Sequence, residues 1–390
     1  MGTQAVAVPN FQNGPSPTAG SRVEANYQAF MQNTQENIKR LGAFVPQVTN
    51  PFAEQVNFYL PKTGIMKKTH LWCTVTFTVA NGSGATTVRD WMPHNIVKRV
   101  QLKGNGADVH SISGVGLHVR SMRRRNNPPT TNGGITGIDS VPASLAAGAT
   151  PANGTYTVKF LLELPLCYSY ENGIGAIFAE SAGAQYEVVM SLASKADMFS
   201  FTSNADVTGF TFNVQPVHHW WTIPRKNING VEVTYVPDLS RMFELQEKVL
   251  PVTATGDFPA ELAQANGNAM CVMAAVRNNN AQLDPAAGGL DYIGWNYASN
   301  ETPRLYNPTE SLLWENANAY NGRLPYKYFA LDFERENPLR DAIRPRGVTG
   351  LNVDLGIPSS LSLSGATVTL VQELLIGAGN GPAVEVVSAS

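Results

Sequence analysis

The sequence predicts an all-β chain of two tandem eight-stranded β-sandwiches, with a short helix ahead of the first and further helices inside loops. Three observations predict it. Runs that alternate apolar with polar residues recur along the chain, and the second half repeats the plan of the first. The length of 390 residues also exceeds the roughly 100 to 250 that one all-β domain commonly holds. Hydrophobic residues, 43% of the total, are enough for two cores.

Residues 1–20 are rich in Pro, Gly, Asn and Gln without periodicity and read as an arm, flexible or ordered by a partner. A helix is expected over Ser21–Leu41. Ser21 and Glu24 make a capping box, and Val23, Tyr27, Phe30, Met31, Thr34, Ile38 and Leu41 recur at helical spacing on one apolar face. Lys39 and Arg40 fall in the last turn, where the helix dipole favours cations, and Gly42 terminates it. Residues 1–42 are therefore assigned to an arm and an amphipathic helix.

The first sandwich is assigned to residues 43–224. Leu71, Cys73, Val75, Phe77 and Val79 alternate with Trp72 and threonines, the mark of a half-buried strand. Ile96–Leu102, Tyr156–Leu164, Tyr186–Leu192 and Phe210–Val217 are further strands, and Gly104-Asn105-Gly106 is a hairpin turn. A short helix follows Ser113 and stops before Asn126-Asn127-Pro128-Pro129. Residues 225–240, with the Asn229-Gly230 turn signal, read as the joint.

The second sandwich is assigned to residues 241–378, followed by a tail over 379–390. Ala269–Val276, Tyr328–Phe333, Leu351–Ile357 and Val368–Ile376 are its strands. Asn307-Pro308-Thr309-Glu310 supplies an N-cap, a first-turn Pro and Glu at N3 for a helix that ends near Asn321-Gly322. Each half thus has a strand, a capped helix within a long excursion, and closing strands. Cys73 and Cys271 should then fall on equivalent strands.

Composition narrows the function classes. Charged residues make up 15% of the chain, against about 25% in an average soluble protein. A surface buried against other subunits accounts for that depletion. The net charge of −2 argues against a protein that coats bare nucleic acid, which needs a basic face. The one dense basic cluster, Arg120, Arg123, Arg124 and Arg125, reads as a solvated or ion-paired face or as a contact to an anionic partner. Cys73, Cys167 and Cys271 are odd in number and widely spaced, so neither a disulfide framework nor a zinc site is expected. Met1–Gly20 has no charged start and no apolar run, so no secretory signal is expected, and the sequons at Asn81, Asn153 and Asn300 read as turns.

No catalytic set holds together, and no cofactor or metal is expected. No pair among the six histidines has the spacing of a helical zinc site. His218-His219-Trp220-Trp221 reads as an aromatic strand end buried at an interface, or as a ligand platform. Asp332, Glu334 and Glu336 alternate on one strand, but Arg335, Arg340, Arg344 and Arg346 nearby make ion pairs the simpler reading than glycosidase carboxylates.

Three stretches carry a family resemblance: Arg89-Asp90-Trp91-Met92-Pro93-His94-Asn95-Ile96-Val97-Lys98-Arg99-Val100; Gly114-Val115-Gly116-Leu117-His118-Val119; and Val141 to Thr150, followed by the strand that ends Leu164-Pro165-Leu166-Cys167-Tyr168-Ser169. In order and spacing they resemble the first jelly roll of the double-jelly-roll major capsid protein of tectiviruses, the icosahedral phages with an internal membrane. Residues 324–376 are similar more loosely, and residues 240–310 depart from the pattern. The resemblance implies two eight-stranded jelly rolls, homotrimers of pseudo-hexagonal outline, and trimers tiling a virion shell over an internal lipid membrane, assembled in the host cytoplasm. Penton and minor capsid proteins would be partners, with no direct sequence-specific nucleic-acid binding. The position of the expected helix ahead of the first sandwich, its capped amphipathic face and the basic pair Lys39 and Arg40 put Tyr27, Phe30, Met31, Ile38, Lys39 and Arg40 on the inner, membrane side of such a shell, and Arg123, Arg124, Arg125, Trp220 and Trp221 are candidate interface residues. The competing readings are a secreted carbohydrate-binding or glycosidase sandwich and a vertex or spike protein.

Overall fold

The computed structural model describes residues 21–40, 51–89, 91–124, 142–146, 148–180, 185–262, 267–278, 281–282, 289–297, 301–320, 329–333 and 352–377. In chain order the first half forms β1 (Ser21–Ala25), α1 (Tyr27–Asn33), β2 (Glu36–Arg40), β3 (Gln55–Tyr59), β4 (Ile65–Ala80), β5 (Thr86–Val88), β6 (Val97–Gly104), β7 (Ala107–Ile112), α2 (Gly114–Arg124), β8 (Gly154–Pro165), β9 (Ile177–Phe178), β10 (Tyr186–Leu192), α3 (Lys195–Met198), β11 (Phe199–Phe201) and β12 (Asp206–Trp221). The hairpin β13 (Arg225–Ile228) and β14 (Val231–Val236) follows. The second half forms β15 (Arg241–Pro251), β16 (Gly256–Glu261), β17 (Gly267–Asn278), β18 (Ala281–Gln282), β19 (Ile293–Tyr297), β20 (Glu301–Tyr306), α4 (Glu310–Ala319), β21 (Phe329–Asp332), β22 (Asn352–Ile357) and β23 (Thr367–Gly377).

The period-two pattern explains why these strands pair as they do. In β4 the side chains of Leu71, Cys73, Val75, Phe77 and Val79 are buried while Trp72 and Thr74, Thr76 and Thr78 turn outward. Every buried Leu, Val or Phe contributes about 1.5–3 kcal/mol, and a one-residue slip would invert the whole set. The tight turns are set by Asn-Gly pairs. Asn105 and Gly106 join β6 to β7, and Asn229 and Gly230 join β13 to β14, all with positive φ as a two-residue hairpin of matching twist requires.

The first sandwich has sheets ordered β2-β12-β4-β8 and β3-β10-β6-β7, and the second β15-β23-β17-β21 and β16-β22-β19-β20. Ranked by position along each half, both read 1-8-3-6 and 2-7-4-5. That winding is a jelly roll, and the chain carries it twice. Helix α2 sits between the fifth and sixth strands of the first roll, and α4 between the fifth and sixth of the second. Cys73 on β4 and Cys271 on β17 lie on the third strand of their rolls, so the expected equivalence of strands holds. Their environments differ. Cys73 lies in the first roll's core, whereas Cys271 joins that same cluster from the second roll and its neighbour Val272 enters the second core. The two rolls share a seam, because β7 pairs in parallel with β15 through Ser111 and Gln246.

The N-terminal segment differs from the expected helix. Instead of one helix over Ser21–Leu41 there are β1, the seven-residue α1 and β2. Ser21 and Glu24 belong to a strand, and the cap is Asn26, whose Oδ1 accepts the Ala29 N–H at 3.0 Å. The helix ends where Thr34 donates its hydroxyl to the Thr222 carbonyl at 2.6 Å and the Gln35 N–H reaches the Thr222 hydroxyl. Both flanks find strands to extend: β1 pairs in parallel with β14, and β2 pairs antiparallel with β12. Sheet pairing outweighs helix propensity, which is worth only tenths of a kcal/mol per residue. Consequently Tyr27, Phe30, Met31, Ile38, Lys39 and Arg40 share no single face; Phe30 is buried in a small cluster with Val23, Trp221 and Tyr235, while Tyr27 and Ile38 are exposed. β2 also lies ahead of residue 43, where the first sandwich was expected to begin, yet it is an edge strand of that roll. Leu41, Gly42, the 1–20 arm and the 379–390 tail lie outside the described residues.

Helix α4 starts at Glu310 rather than at an Asn307 cap, because the Thr309 hydroxyl donates to the Leu290 carbonyl at 2.7 Å and ties the turn to the second roll. All three cysteines are buried thiols, none in a disulfide. A thiol reagent should therefore label the native chain slowly and take up three equivalents only once denaturant unfolds it; rapid stoichiometric labelling of the folded protein would contradict this packing.

Candidate functional site: the junction between the two rolls

The most concentrated chemistry of the chain lies where α2 meets the second roll. Ser113 begins the helix, its hydroxyl accepting the Gly116 N–H at 2.9 Å. Glu247 of β15 then receives the Ser113 N–H at 2.5 Å and its hydroxyl at 2.8 Å. A carboxylate is thereby held at the positive end of the helix by a strand of the other roll. Burial pushes the Glu247 carboxyl above its usual range, against the pull of Ser113 and Arg99.

The other end of α2 is gripped by the same sheet. Arg123 reaches Asp332 of β21 through Nη1 at 2.7 Å and pairs with Glu373 of β23 through Nη2. Arg120 places Nε 2.7 Å from the Glu373 carboxylate and lies over the Phe243 ring, 5.3 Å from its centroid. Arg120, Arg123 and Glu373 are all buried. Burial works against the Arg123 charge, yet Cys271, Glu373, Asp332 and Tyr320 around it hold its guanidinium well above the ordinary arginine value. Tyr320 donates its hydroxyl to Asp332 at 2.7 Å and so adds a bond from the end of α4.

The network continues into the first roll. Glu163 on β8 is 3.7 Å from Arg120, and receives Lys68 at 2.9 Å, His70 at 3.2 Å and the Tyr170 hydroxyl at 2.6 Å. Burial raises its pKa, but these partners outweigh it and keep Glu163 well below the usual carboxylate range. Beside the seam, His110 accepts the Leu245 N–H on Nδ1 at 3.0 Å. Burial, then the nearby Arg120 charge, lower its pKa to about 3, so the ring stays neutral. Close packing completes the join: a Cβ on Gly175, at φ +75°, would come within 2.7 Å of Leu375, and the Gly175 carbonyl accepts the Phe243 N–H at 3.0 Å. Phe243, Leu245, Leu374, Leu375 and Ile376 of the second roll belong to the first roll's hydrophobic cluster.

Of the expected interface residues, Arg123 is buried between the two rolls of one chain and ion-paired there. The Arg124 side chain and the whole of Arg125 lie outside what the structure describes. Trp221 is buried against Phe30, ring edge to face at 6.2 Å, and Trp220 packs partly buried on the first core. His218 is buried with Nδ1 2.9 Å from the Thr69 hydroxyl, and His219 contacts Glu36 at 3.2 Å, so this strand end is interior structure and not a ligand platform. Of the alternating carboxylates only Asp332 is described; Glu334, Glu336 and Arg335, Arg340, Arg344 and Arg346 lie outside the described residues. Sequence reasoning flagged the arginines but missed Glu163 and Glu373, each the one acid of its strand, and Glu247, which lies in the mixed strand β15 beside Gln246 and Lys248. Among the described residues no helix is long and apolar enough to cross a membrane, and no cluster of three or more metal-ligating side chains occurs.

No protein-family model matches the chain, and no curated protein matches it. Solved structures do. The crystal structure of the major capsid protein of Sulfolobus turreted icosahedral virus aligns with a TM-score of 0.61 at 13% identity, over 88% of this chain and 97% of that one. The fold is that of the double-jelly-roll capsid proteins. A chain of the atomic structure of that virus gives 0.60 at 12% identity, over 88% of this chain and 91% of that one. The capsid of the virus PBCV-1 gives 0.55 at 10% identity, over 92% and 98%.

Two measurements test the junction. Removing one partner of a buried ion pair leaves the other uncompensated, so Arg123→Met or Glu373→Leu alone should cost about 3–5 kcal/mol in denaturant unfolding; the double substitution still takes Glu373 from Arg120 and Arg123 from Asp332, so it should cost less than the sum of the two single losses without restoring the wild-type stability. Stability should also fall as pH drops below about 6.5, the unfolded histidine value. His110, at about 3, and His218, lowered to about 4 by burial, Lys39 and His219, stay neutral in the fold while the unfolded chain takes up protons. Each contributes up to about 1.4 kcal/mol per pH unit in that window. The pairing of Glu163 is lost only at lower pH, as its depressed folded pKa is crossed. Urea titrations from pH 7 to 4 read the slope, and His218→Gln should flatten it.

Proposed function

We propose that this chain is the major capsid protein of an icosahedral virion, that three copies form a pseudo-hexagonal block, and that such blocks tile a shell over an internal membrane. The observation that carries the reading is the doubled winding: two jelly rolls of identical strand order, locked side by side by a buried ionic and apolar junction. A rigid pair of like modules gives a trimer six similar corners, which suits tiling of a closed surface. The low charged fraction supports burial of much of the surface against neighbours. We take residues 225–240 as the joint between the rolls, and assign the chain no enzymatic role. Penton and minor capsid proteins are its proposed partners besides itself, with assembly in the host cytoplasm.

We assign the N-terminal segment to the membrane side. What supports this is the small sheet of β1, β13 and β14, paired with neither sandwich's sheets, which exposes Ile228 and Val231 beside Arg225 and Lys226, with exposed Tyr27 at the start of the adjoining α1. Apolar groups flanked by cations suit an anionic lipid boundary. Light scattering of the purified chain should give three times the mass of one chain, and protease should remove residues 1–20 from free trimers but spare them in closed particles. A persistent monomer at micromolar concentration contradicts the trimer; equal cleavage of particles and trimers contradicts the inward placement.

A further inference from the structure

A polar cleft of about 260 Å³ opens at the end of the first roll where β3, β6 and β10 meet. Tyr59, Lys103, Asn105, Gly106, Gln185 and Glu187 line it. Phe58, Leu102, Tyr186 and Val188 turn into the first core, so the alternation of each strand sends Tyr59, Lys103 and Glu187 to the outer face. The registers set Tyr59 opposite Glu187 and Glu187 opposite Lys103, one row across three strands. Neighbours in such a row have Cβ atoms about 5 Å apart. The loops behind the row are tied together: the Asn105 N–H donates to the Gln185 carbonyl at 3.0 Å, and the Gln185 N–H donates to the Asn105 Oδ1 at 2.9 Å.

The row offers an acid, a base and an aromatic ring. Tyr59 is 54% exposed. Lys103 and Glu187 are half-buried, and among the described residues neither forms an ion pair, with the other or elsewhere. Asp108, which faces Lys103 from β7, accepts the Gln101 amide at 3.1 Å. A simple anion over Lys103 would meet the Glu187 charge, and a simple cation at Glu187 would meet Lys103. An occupant that carries both charges satisfies the row. Its cation falls between the Glu187 carboxylate and the Tyr59 ring, a setting that suits a substituted ammonium. Its anion falls on Lys103, beside the Asn105 and Gln185 amides of the same cleft, which suits a phosphate. The two charges must lie about one strand spacing apart, as they do across a two-carbon bridge.

The cleft shares its end of the roll with the small sheet assigned above to the membrane side. Leu60 to Gly64 connect Tyr59 to β4. Gly64 lies against the end of β12, where a Cβ would collide with the Trp221 carbonyl, and its N–H points to Glu180 at 3.4 Å. Glu180 in turn pairs with Arg225 of β13 at 3.0 Å. We propose that the cleft binds the headgroup of a zwitterionic phospholipid of the internal membrane, its phosphate on Lys103 and its ammonium between Tyr59 and Glu187. This inference rests on the membrane-side reading and names the lipid class of one contact.

The test titrates glycerophosphocholine into the full chain and follows saturation transfer to its choline methyl protons, with choline as a second ligand and inorganic phosphate as a competitor. Glycerophosphocholine should bind more tightly than choline, and phosphate should displace it only weakly. Tyr59→Ala and Glu187→Gln should each weaken binding about tenfold with an unchanged circular dichroism spectrum. Tyr59→Trp keeps a ring and should retain binding, and Lys226→Glu on the hairpin should leave it unchanged. Flotation with phosphatidylcholine vesicles should fall in the same two variants. Absence of headgroup binding, binding indifferent to both substitutions, or phosphate competing as well as the headgroup itself overturns the cleft assignment. Flotation of the chain with phosphatidylglycerol vesicles in that case leaves the membrane-side reading standing. A headgroup that binds while phosphatidylcholine vesicles do not float the chain overturns the lipid as occupant, and failure with both kinds of vesicle counts against the membrane-side reading as well.

Discussion

The architecture depends on a pair of arginines that cannot be solvated. Arg120 and Arg123 emerge from a helix of one roll into a space closed by the sheet of the other, and their charge is tolerable only because Glu373, Asp332 and Glu163 converge there. Ion pairs of this kind are weak contributors to net stability, since desolvation consumes most of the attraction. Their value is in discrimination. An apolar seam alone would accept many rotations of one roll on the other, whereas two guanidinium forks facing three carboxylates accept few. Glu247 at the opposite end of the same helix makes the constraint two-ended.

Around that constraint the apolar packing falls into place. The second roll buries its own core about Trp295, Val353 and Leu355, yet it gives Phe243, Leu245 and Leu375 to its neighbour. Its inner sheet is thus covered on both sides, like the strands of an α/β protein, and its residues read as a nearly continuous apolar run: Thr367–Gly377 alternates poorly and is buried from Leu370 to Ile376. The outer sheet of the first roll has one wet face, and there the alternation is clean.

That difference explains what could be read from the residues. Strands with one wet face, such as Ile65–Ala80 and Gly154–Pro165, announce themselves by period two. The duplicated winding was legible because each half repeats the order strand, helical excursion, closing strands. The N-terminal helix was misread because Tyr27, Phe30, Met31 and Ile38 fit helical spacing, while the competing strand partners, β12 and β14, lie about two hundred residues away and leave no local trace. The basic cluster was visible as a cluster, but its fate was not: the acids that neutralise it come from positions separated from Arg123 by 209 and 250 residues.

The placement of β2 has a consequence for how the molecule comes into being. Glu36 pairs with Trp221 and Arg40 with Val217, so the first strand of the roll to be synthesised closes against the last. Until then β4 lacks its neighbour β12 on one side, and a long apolar strand stands with an open edge in a growing chain. Contacts of such high sequence separation form late and slowly, and the waiting edge is exposed to other chains being made nearby. On a polysome those neighbours are copies of the same polypeptide, so the completion of residue 221 is the moment at which the nascent roll stops being a template for its own aggregation.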